Sequence, residues 1–133
     1  MTWAVSVRVH CSAMQDANNL RVTAEARALA ILVYQETAQL PAAERFGLTA
    51  QMRRAAVSVG SNIAEGCGRF GNRELVRFLQ IALGSASELE FQAQIAADLK
   101  FLPMGGDASL LDQIGRVKGM LIALIKSHRT QKG

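Results

Sequence analysis

The sequence has 133 residues, of which 50% are hydrophobic and 20% are charged, a balance that favours one folded domain and excludes an intrinsically disordered chain. Its two cysteines form neither a disulfide framework nor a metal-binding pair, so a reduced, cytoplasmic setting is expected. No apolar run reaches the ~18 residues of a membrane span, so no membrane association is expected.

Residues 1–19 are predicted to form a poorly ordered leader, followed by a helical domain over 20–129 and a short tail over 130–133. The leader does not resemble a signal peptide, because its start lacks basic residues and Arg8 interrupts the apolar stretch. The alternation of Val5, Val7 and Val9 leaves a short strand as an alternative. Met14 is an alternative start of the chain.

The first predicted helix extends from about Asn19 to Gln39, and Pro41 is expected to end it because the residue before a proline avoids helical backbone angles. Its apolar positions recur every three or four residues with one wider gap, which is typical of a wide buried face. These positions are Val22, Ala26, Leu29, Val33 and Leu40, broadened by Ile31, Leu32 and Tyr34.

The second predicted helix extends from near Phe46 to Gly66, with Thr49 in its first turn. Gly66 is expected to end it in a left-handed conformation, which glycine adopts without steric cost. One helical face is apolar at steps of three or four residues. It consists of Leu48, Met52, Ala55, Val59 and Ile63.

A third predicted helix of about 25 residues opens at Asn72, a residue type favoured as an N-cap, and closes before Pro103 and the Gly105–Gly106 pair. Its apolar stripe is Leu75, Phe78, Leu79, Ala82, Ala86, Leu89, Ala93, Ala96 and Leu99. A fourth helix is predicted from Asp107, another N-cap type. Its seam is Leu110, Leu111, Ile114, Val117, Leu121, Leu124 and Ile125, followed by the basic residues Lys126, His128, Arg129 and Lys132.

Four amphipathic helices with short connections predict an all-α protein, folded as an antiparallel up-down four-helix bundle. The scarcity of aromatic residues, at 5%, also favours helix over strand. His10 and His128 lie far apart, and neither has a second ligand at metal spacing. Both are interpreted as exposed side chains, and neither a metal nor a cofactor is expected.

Residues 66–71 read GCGRFG, which matches the G-x-G-x-x-G spacing of a dinucleotide-binding loop. That loop requires a strand before its first glycine, whereas the preceding residues have helical periodicity. The stretch is therefore interpreted as a turn between helices two and three. If its centre is near Gly68, Ala55 faces Ala82 and Arg53 faces Gly84, with small residues on both sides that permit close packing.

Asn62 and Glu65 are interpreted as structural residues at the end of the second helix. Asn62 is expected to bond toward the following turn or the backbone near Asn72, and Glu65 to pair with Arg69 or to reach free amides of the third helix. Neither has a second carboxylate or a histidine within one helical turn, so no acid–base pair is expected. An enzyme is therefore not expected.

A basic cluster is the main candidate for a binding surface. It consists of Arg53, Arg54, Arg69, Arg73 and Arg77. Together with the net charge of +4, it favours contact with nucleic-acid phosphates that is tolerant of sequence. The alternative is a solvated network in which Glu74, Glu88 and Glu90 pair with several of the arginines.

The sequence resembles the four-helix-bundle proteins encoded in intervening sequences of 23S rRNA genes, over roughly residues 20–126. The matching elements are Gln51-Met52-Arg53-Arg54-Ala55, Ser58, Asn62-Ile63-Ala64-Glu65-Gly66, Phe78-Leu79 and Gly84-Ser85 through Glu88-Leu89. Within this motif Ser58, Asn62, Glu65, Gly66, Gly84, Ser85 and Glu88 are expected to be structural.

The resemblance implies a homo-oligomeric ring, a pentamer, as in the related accessory proteins of diversity-generating retroelements. Those relatives look like basic partners of nucleic acid or of a reverse transcriptase. The resulting hypothesis is a non-enzymatic oligomeric adaptor that binds RNA or DNA through the basic cluster. The alternative is a protein-interaction or assembly scaffold that does not bind nucleic acid.

Overall fold

The computed structural model describes the backbone of residues 16–102 and 106–130, and the side chains of 16–102 and 110–130. Pro103 and Gly105, which were predicted to close the third helix, lie outside the described residues, as do His10, Lys132 and most of the predicted leader. The fourth helix begins at Gly106, one residue before the N-cap that was predicted at Asp107. The described helices are α1 (Ala17–Thr37), a short 3-10 helix (Ala42–Glu44), α2 (Leu48–Cys67), α3 (Asn72–Asp98) and α4 (Gly106–Arg129).

The four long helices pack as an all-α bundle, as predicted. α2 packs on α1 and α3, and α4 packs on α3 and α1. α1 and α4 are antiparallel, because the end of α4 lies beside the start of α1 and an earlier residue of α4 contacts a later residue of α1. His128 lies beside Asn19, and Arg116 pairs with Glu25. Helix is favoured throughout because each apolar stripe needs a partner face to exclude water.

Most of the predicted stripe residues form one continuous core that contains residues from all four long helices. Its largest fully buried side chains are Leu29, Met52, Ile63, Leu75, Leu79, Leu89, Leu110, Ile114 and Leu121. Ile31 and Tyr34, which were predicted to broaden the first stripe, are exposed instead. Leu99 does not join this core: α3 ends at Asp98, Leu99 is the exposed C-cap, and Lys100 takes a left-handed φ of 61°. The chain thus leaves the helix before the predicted glycine and proline signals.

α1 begins and ends earlier than its apolar spacing predicts. Asp16 caps the helix, its Oδ1 accepting hydrogen bonds from the amides of Asn18 (2.8 Å) and Asn19 (3.4 Å), which places residues 17–19 of the predicted leader inside the helix. At the other end, α1 stops at Thr37, four residues before Pro41. The Thr37 hydroxyl donates to the carbonyl of Val33 (2.6 Å), a bond that uses the helix's own backbone.

His128 is buried, contrary to the prediction of an exposed side chain. It is only 7% exposed, and its Nε2 lies 3.3 Å from Oδ1 of Asn19. His128 lies seven residues after the buried Leu121, on the apolar seam of α4, whereas its polar partner comes from the first turn of α1, far away in sequence. This contact joins the end of the chain to the start of the bundle.

The turn between α2 and α3 differs from the prediction in its key residues. Gly66 is helical and buried, and α2 continues through Cys67 to its C-cap Gly68. The left-handed glycine is Gly71, with φ of 84°, and it occupies the N-cap position that was predicted for Asn72. Gly66 instead permits close approach, because a Cβ built there would lie 2.8 Å from Cβ of Phe78.

The register of α2 against α3 is therefore shifted from the predicted pairing. Ser58, which the predicted turn centre places opposite Leu79, has its Oγ 2.9 Å from Oγ of Ser85. Arg53 does not face Gly84 and turns to α1 instead. The shift arises because α2 extends past Gly66 and α3 begins only at Asn72, so the centre of the reversal lies beyond Gly68.

We expect Gly66→Ala to lower the free energy of unfolding by about 1–2 kcal/mol, because the added methyl overpacks the contact with Phe78 and outweighs the gain in helix propensity. Gly115→Ala in α4 is the matched control, since a Cβ at Gly115 meets nothing within 4 Å, and it should raise stability by up to ~1 kcal/mol. Urea unfolding of both variants measures the difference. Equal stability of the two would contradict the close-approach role of Gly66.

Candidate nucleic-acid interface

The predicted basic cluster is divided into two groups in the structure. Arg53 and Arg54 lie in the first half of α2, whereas Arg69, Arg73 and Arg77 surround the turn between α2 and α3. The sixteen residues from Arg53 to Arg69 correspond to about 24 Å along a helix axis. The five arginines therefore do not form one compact patch within the monomer.

Arg53 ties α2 to the last turn of α1. Its Nε donates to Oγ1 of Thr37 (2.9 Å), its Nη2 donates to the carbonyl of Tyr34 (3.3 Å), and its guanidinium lies 4.6 Å from the centre of the Tyr34 ring. The last four carbonyls of a helix lack partners within the helix, so this bond satisfies a group that would otherwise need water. Arg53 thus has a structural role, and Arg54 beside it is exposed.

A groove beside Arg53 and Arg54 combines basic and aromatic side chains, and we call it the arginine groove. It is lined by Tyr34, Arg45, Phe46, Thr49, Ala50, Arg53, Arg54, Val57, Ser58 and Ser61, and encloses about 850 Å³. The lining contains three arginines and no acidic residue. Phe46 is 87% exposed, and the Arg45 guanidinium lies 5.6 Å from its ring centre.

Sequence reasoning missed Arg45, Phe46 and Tyr34 as members of this surface. Tyr34 belonged to the apolar pattern of the first helix, and Arg45 and Phe46 lie in the connection between α1 and α2. Only the folded chain brings the end of α1 and the start of α2 together. The adjacent pair Arg45-Phe46, just before a helix that carries Arg53 and Arg54, was the one available signal.

The arginines at the turn are partly neutralised by neighbouring carboxylates. Arg69 pairs with Glu65 (2.9 Å), as predicted, and Arg77 pairs with Glu74 (3.2 Å). Both guanidiniums also lie over the Phe78 ring, 5.2 and 4.5 Å from its centre. Such exposed pairs contribute roughly 0–1 kcal/mol each, so they hold the arginines in place without burying their charge.

The proposed acidic network is only partly present. Glu74 pairs with Arg77, but Glu90 pairs with Lys118 of α4 (2.9 Å) rather than with an arginine. Arg73 is exposed, and no ion pair within 4.0 Å joins it to any residue whose side chain is described. The turn therefore retains one unneutralised cation between two neutralised ones.

Ser58, Asn62 and Ser85 form a small hydrogen-bonded network between α2 and α3. Asn62 Nδ2 donates to the carbonyl (2.8 Å) and to Oγ (3.0 Å) of Ser58, which in turn contacts Ser85. Asn62 thus bonds back along its own helix. The prediction that it bonds toward the turn or the backbone near Asn72 was wrong. This network links α2 to α3 through the Ser58–Ser85 contact.

Metal-ligand groups and membrane-spanning helices are both absent from the part of the chain that the structure describes. No group of three or more histidine, cysteine, aspartate or glutamate residues is placed to hold a metal ion among the side chains of 16–102 and 110–130. None of the four described helices is long and apolar enough to cross a membrane.

Comparison with known proteins identifies a family and a fold. The family model "23S rRNA-intervening sequence protein" matches residues 18–123. A crystal structure of a protein of unknown function from the S23 ribosomal protein family of Bacteroides thetaiotaomicron is similar, with a TM-score of 0.75 and 21% identity. The similarity covers 82% of this chain and 98% of that one. A comparison with curated protein sequences gave no match.

Proposed function

The chain belongs to the 23S rRNA-intervening sequence protein family, and on this premise we propose that it is a non-enzymatic oligomeric adaptor that binds nucleic acid through the arginine groove. The observation that supports this most strongly is the groove lining, with three arginines, two aromatic rings and no carboxylate. Unneutralised guanidiniums attract phosphates, and exposed aromatic rings stack on bases.

The contacts within the groove give its basic and aromatic residues different roles in binding. Arg53 is held by Thr37 and Tyr34, so it supplies a fixed positive charge at the groove wall. Arg45 and Arg54 are exposed and contact phosphates. Phe46 and Tyr34 offer ring faces to unpaired bases, which favours single-stranded segments over a continuous duplex, whose bases are already stacked.

The arginines at the turn extend this interface. Arg73 supplies the strongest additional phosphate contact, since Arg69 and Arg77 share their charge with Glu65 and Glu74. The ~24 Å between the groove and the turn is compatible with a strand several nucleotides long that follows α2. In a ring of identical subunits, the same two groups repeat around the assembly.

We expect the double variant Arg45→Gln/Arg54→Gln to bind single-stranded RNA about tenfold more weakly and with a shallower salt dependence, because two phosphate contacts are lost. Phe46→Ala should cost about 1–3 kcal/mol of binding free energy and leave the salt slope unchanged, because stacking is not ionic. Fluorescence anisotropy with an oligouridine of about 20 nucleotides, from about 50 to 200 mM salt, measures both effects.

Arg129→Gln is the charge-matched control, since Arg129 lies in the last turn of α4, where the contact between His128 and Asn19 places it near the start of α1 and away from the groove. It should bind as the wild type does. If the wild-type protein does not bind at low salt, or if its binding is independent of salt, nucleic-acid recognition by this surface is refuted.

A second candidate function, an assembly scaffold, is favoured by the outer face of α3. Ile81 and Phe91 of this helix are exposed, by 41% and 62%, and Gly84 lies between them in the sequence. Exposed apolar side chains grouped on a helix favour an interaction surface. The open space at Gly84 would let another helix approach closely, consistent with a ring-like, pentameric assembly or with docking of a reverse transcriptase.

Light scattering at micromolar concentration tests this assembly. The wild-type chain should have the mass of a closed oligomer, and Phe91→Arg should reduce that mass, because a buried guanidinium without a partner destabilises an apolar interface. Phe70→Arg, a matched change at the exposed turn, should leave the mass unaltered. A monomeric wild-type protein would exclude the ring.

A further inference from the structure

A second cleft, which we call the polar cleft, lies between α2 and α3. It is lined by Gln51, Arg54, Ala55, Ser58, Glu88 and Gln92 and encloses about 430 Å³. This volume is within the range of sites that bind small molecules. Arg54 and Ser58 border both this cleft and the arginine groove, but the other four lining residues belong to the polar cleft alone.

The cleft exists because small side chains occupy its base and one end. Ala55 is nearly fully buried at the floor, and the hydrogen bond between Ser58 and Ser85 (2.9 Å) crosses from α2 to α3 at one end. Gln51 and Gln92 lie on the two helices at the other end. The result is a short, polar space whose walls come from two rigid helices.

Gln92 has an unsatisfied polar atom in this cleft. The residue is 6% exposed, and its Oε1 is buried without a hydrogen-bond partner among the described residues. Such an atom typically costs about 1–3 kcal/mol. The terminal torsion of a glutamine side chain rotates easily, so a donor that enters the cleft can relieve this cost by drawing the carbonyl oxygen toward it.

Arg54 and Glu88 bring opposite charges to the same cleft without neutralising each other. They lie on facing helices, and no ion pair within 4.0 Å joins them, although such pairs are present elsewhere among the described residues. An anion alone would be repelled by Glu88, and a cation alone by Arg54. A molecule with both charges satisfies both side chains.

The serine pair adds a donor. Ser58 and Ser85 share one hydrogen bond, in which either hydroxyl can be the donor. That bond uses the proton of one serine, and the proton of the other has no acceptor among the described residues. Asn62 already donates to Ser58 Oγ, which fills one acceptor position of that oxygen. The cleft therefore offers the Arg54 guanidinium and, when Ser85 donates to Ser58, the Ser58 hydroxyl as donors, with the Glu88 carboxylate as an acceptor. The buried Oε1 of Gln92 becomes a second acceptor once its amide group rotates toward the cleft.

We infer that the polar cleft binds a free α-amino acid. The ammonium group of the ligand donates to the Glu88 carboxylate and to Oε1 of Gln92, and its carboxylate accepts from the Arg54 guanidinium and from a hydroxyl of the serine pair. The two charged groups of an α-amino acid are close together, as the facing positions of Arg54 and Glu88 require. This site shares Arg54 with the proposed contact with nucleic acid, which also uses Arg45 and Phe46, whereas Glu88 and Gln92 belong to the polar cleft alone.

Isothermal titration calorimetry of the full chain with each of the twenty standard amino acids tests the inference. At least one should bind with a dissociation constant below about 1 mM, the weak end of specific affinities. Its N-acetyl form, which lacks the ammonium group, and its carboxamide form, which lacks the carboxylate, should each bind at least tenfold more weakly. No binding by any of the twenty, or equal binding of a blocked form, would overturn the proposal.

Two variants then locate the site. Glu88→Gln should weaken binding of the amino acid at least tenfold. Gln92→Met should abolish measurable binding yet raise the melting temperature of the free protein, because it removes an unsatisfied buried oxygen; a purely structural glutamine would instead give a less stable protein. Arg45→Gln, which alters only the arginine groove, should leave the affinity unchanged. Unchanged affinity in Glu88→Gln would refute the assignment.

Discussion

The close approach of α2 and α3 at Gly66 is the constraint on which the rest of the structure depends. A side chain at this position would overlap Phe78. Because Gly66 has no Cβ, the backbone of α2 packs directly against the Phe78 side chain of α3, close to the turn that joins the two helices. The contact fixes which residues of α2 and α3 face one another. It brings Ser58 beside Ser85, places Ala55 at the floor of the polar cleft, and turns Arg53 away from α3 and toward α1.

The same register gives α2 two different faces. On the side of α1, Arg53 is held by Thr37 and Tyr34, and the surface is basic, aromatic and free of lining carboxylates. On the side of α3, Arg54 meets Glu88 and two glutamines in a smaller polar space. The first combination suits an extended polyanion with unpaired bases, and the second suits a small molecule with both charges. Arg54 stands between them, so occupancy of one site changes the electrostatic environment of the other.

The sequence alone predicted the bundle because the signal for each helix is local: Leu75, Leu79, Ala82 and Ala86 recur at helical spacing, and each is buried as predicted. It failed where a distant partner decides the outcome. The polar partner of the buried His128 is Asn19, from the other end of the chain, and Gly66 lies inside α2, where Phe78 leaves no space for a Cβ. The basic cluster was found by composition, but its division into two groups, and the addition of Arg45 and Phe46, follow from how α1 meets α2.

Photo-crosslinking tests the central claim, that nucleic acid lies in the arginine groove, most directly. The wild-type chain would be irradiated with an oligonucleotide that contains 4-thiouridine, digested, and the linked peptides identified by mass spectrometry. Because crosslinks form only where a base contacts a side chain, they should map to Phe46 and Tyr34 and weaken when unlabelled strand competes. Crosslinks confined to α4, or spread without preference over all four helices, would contradict the account.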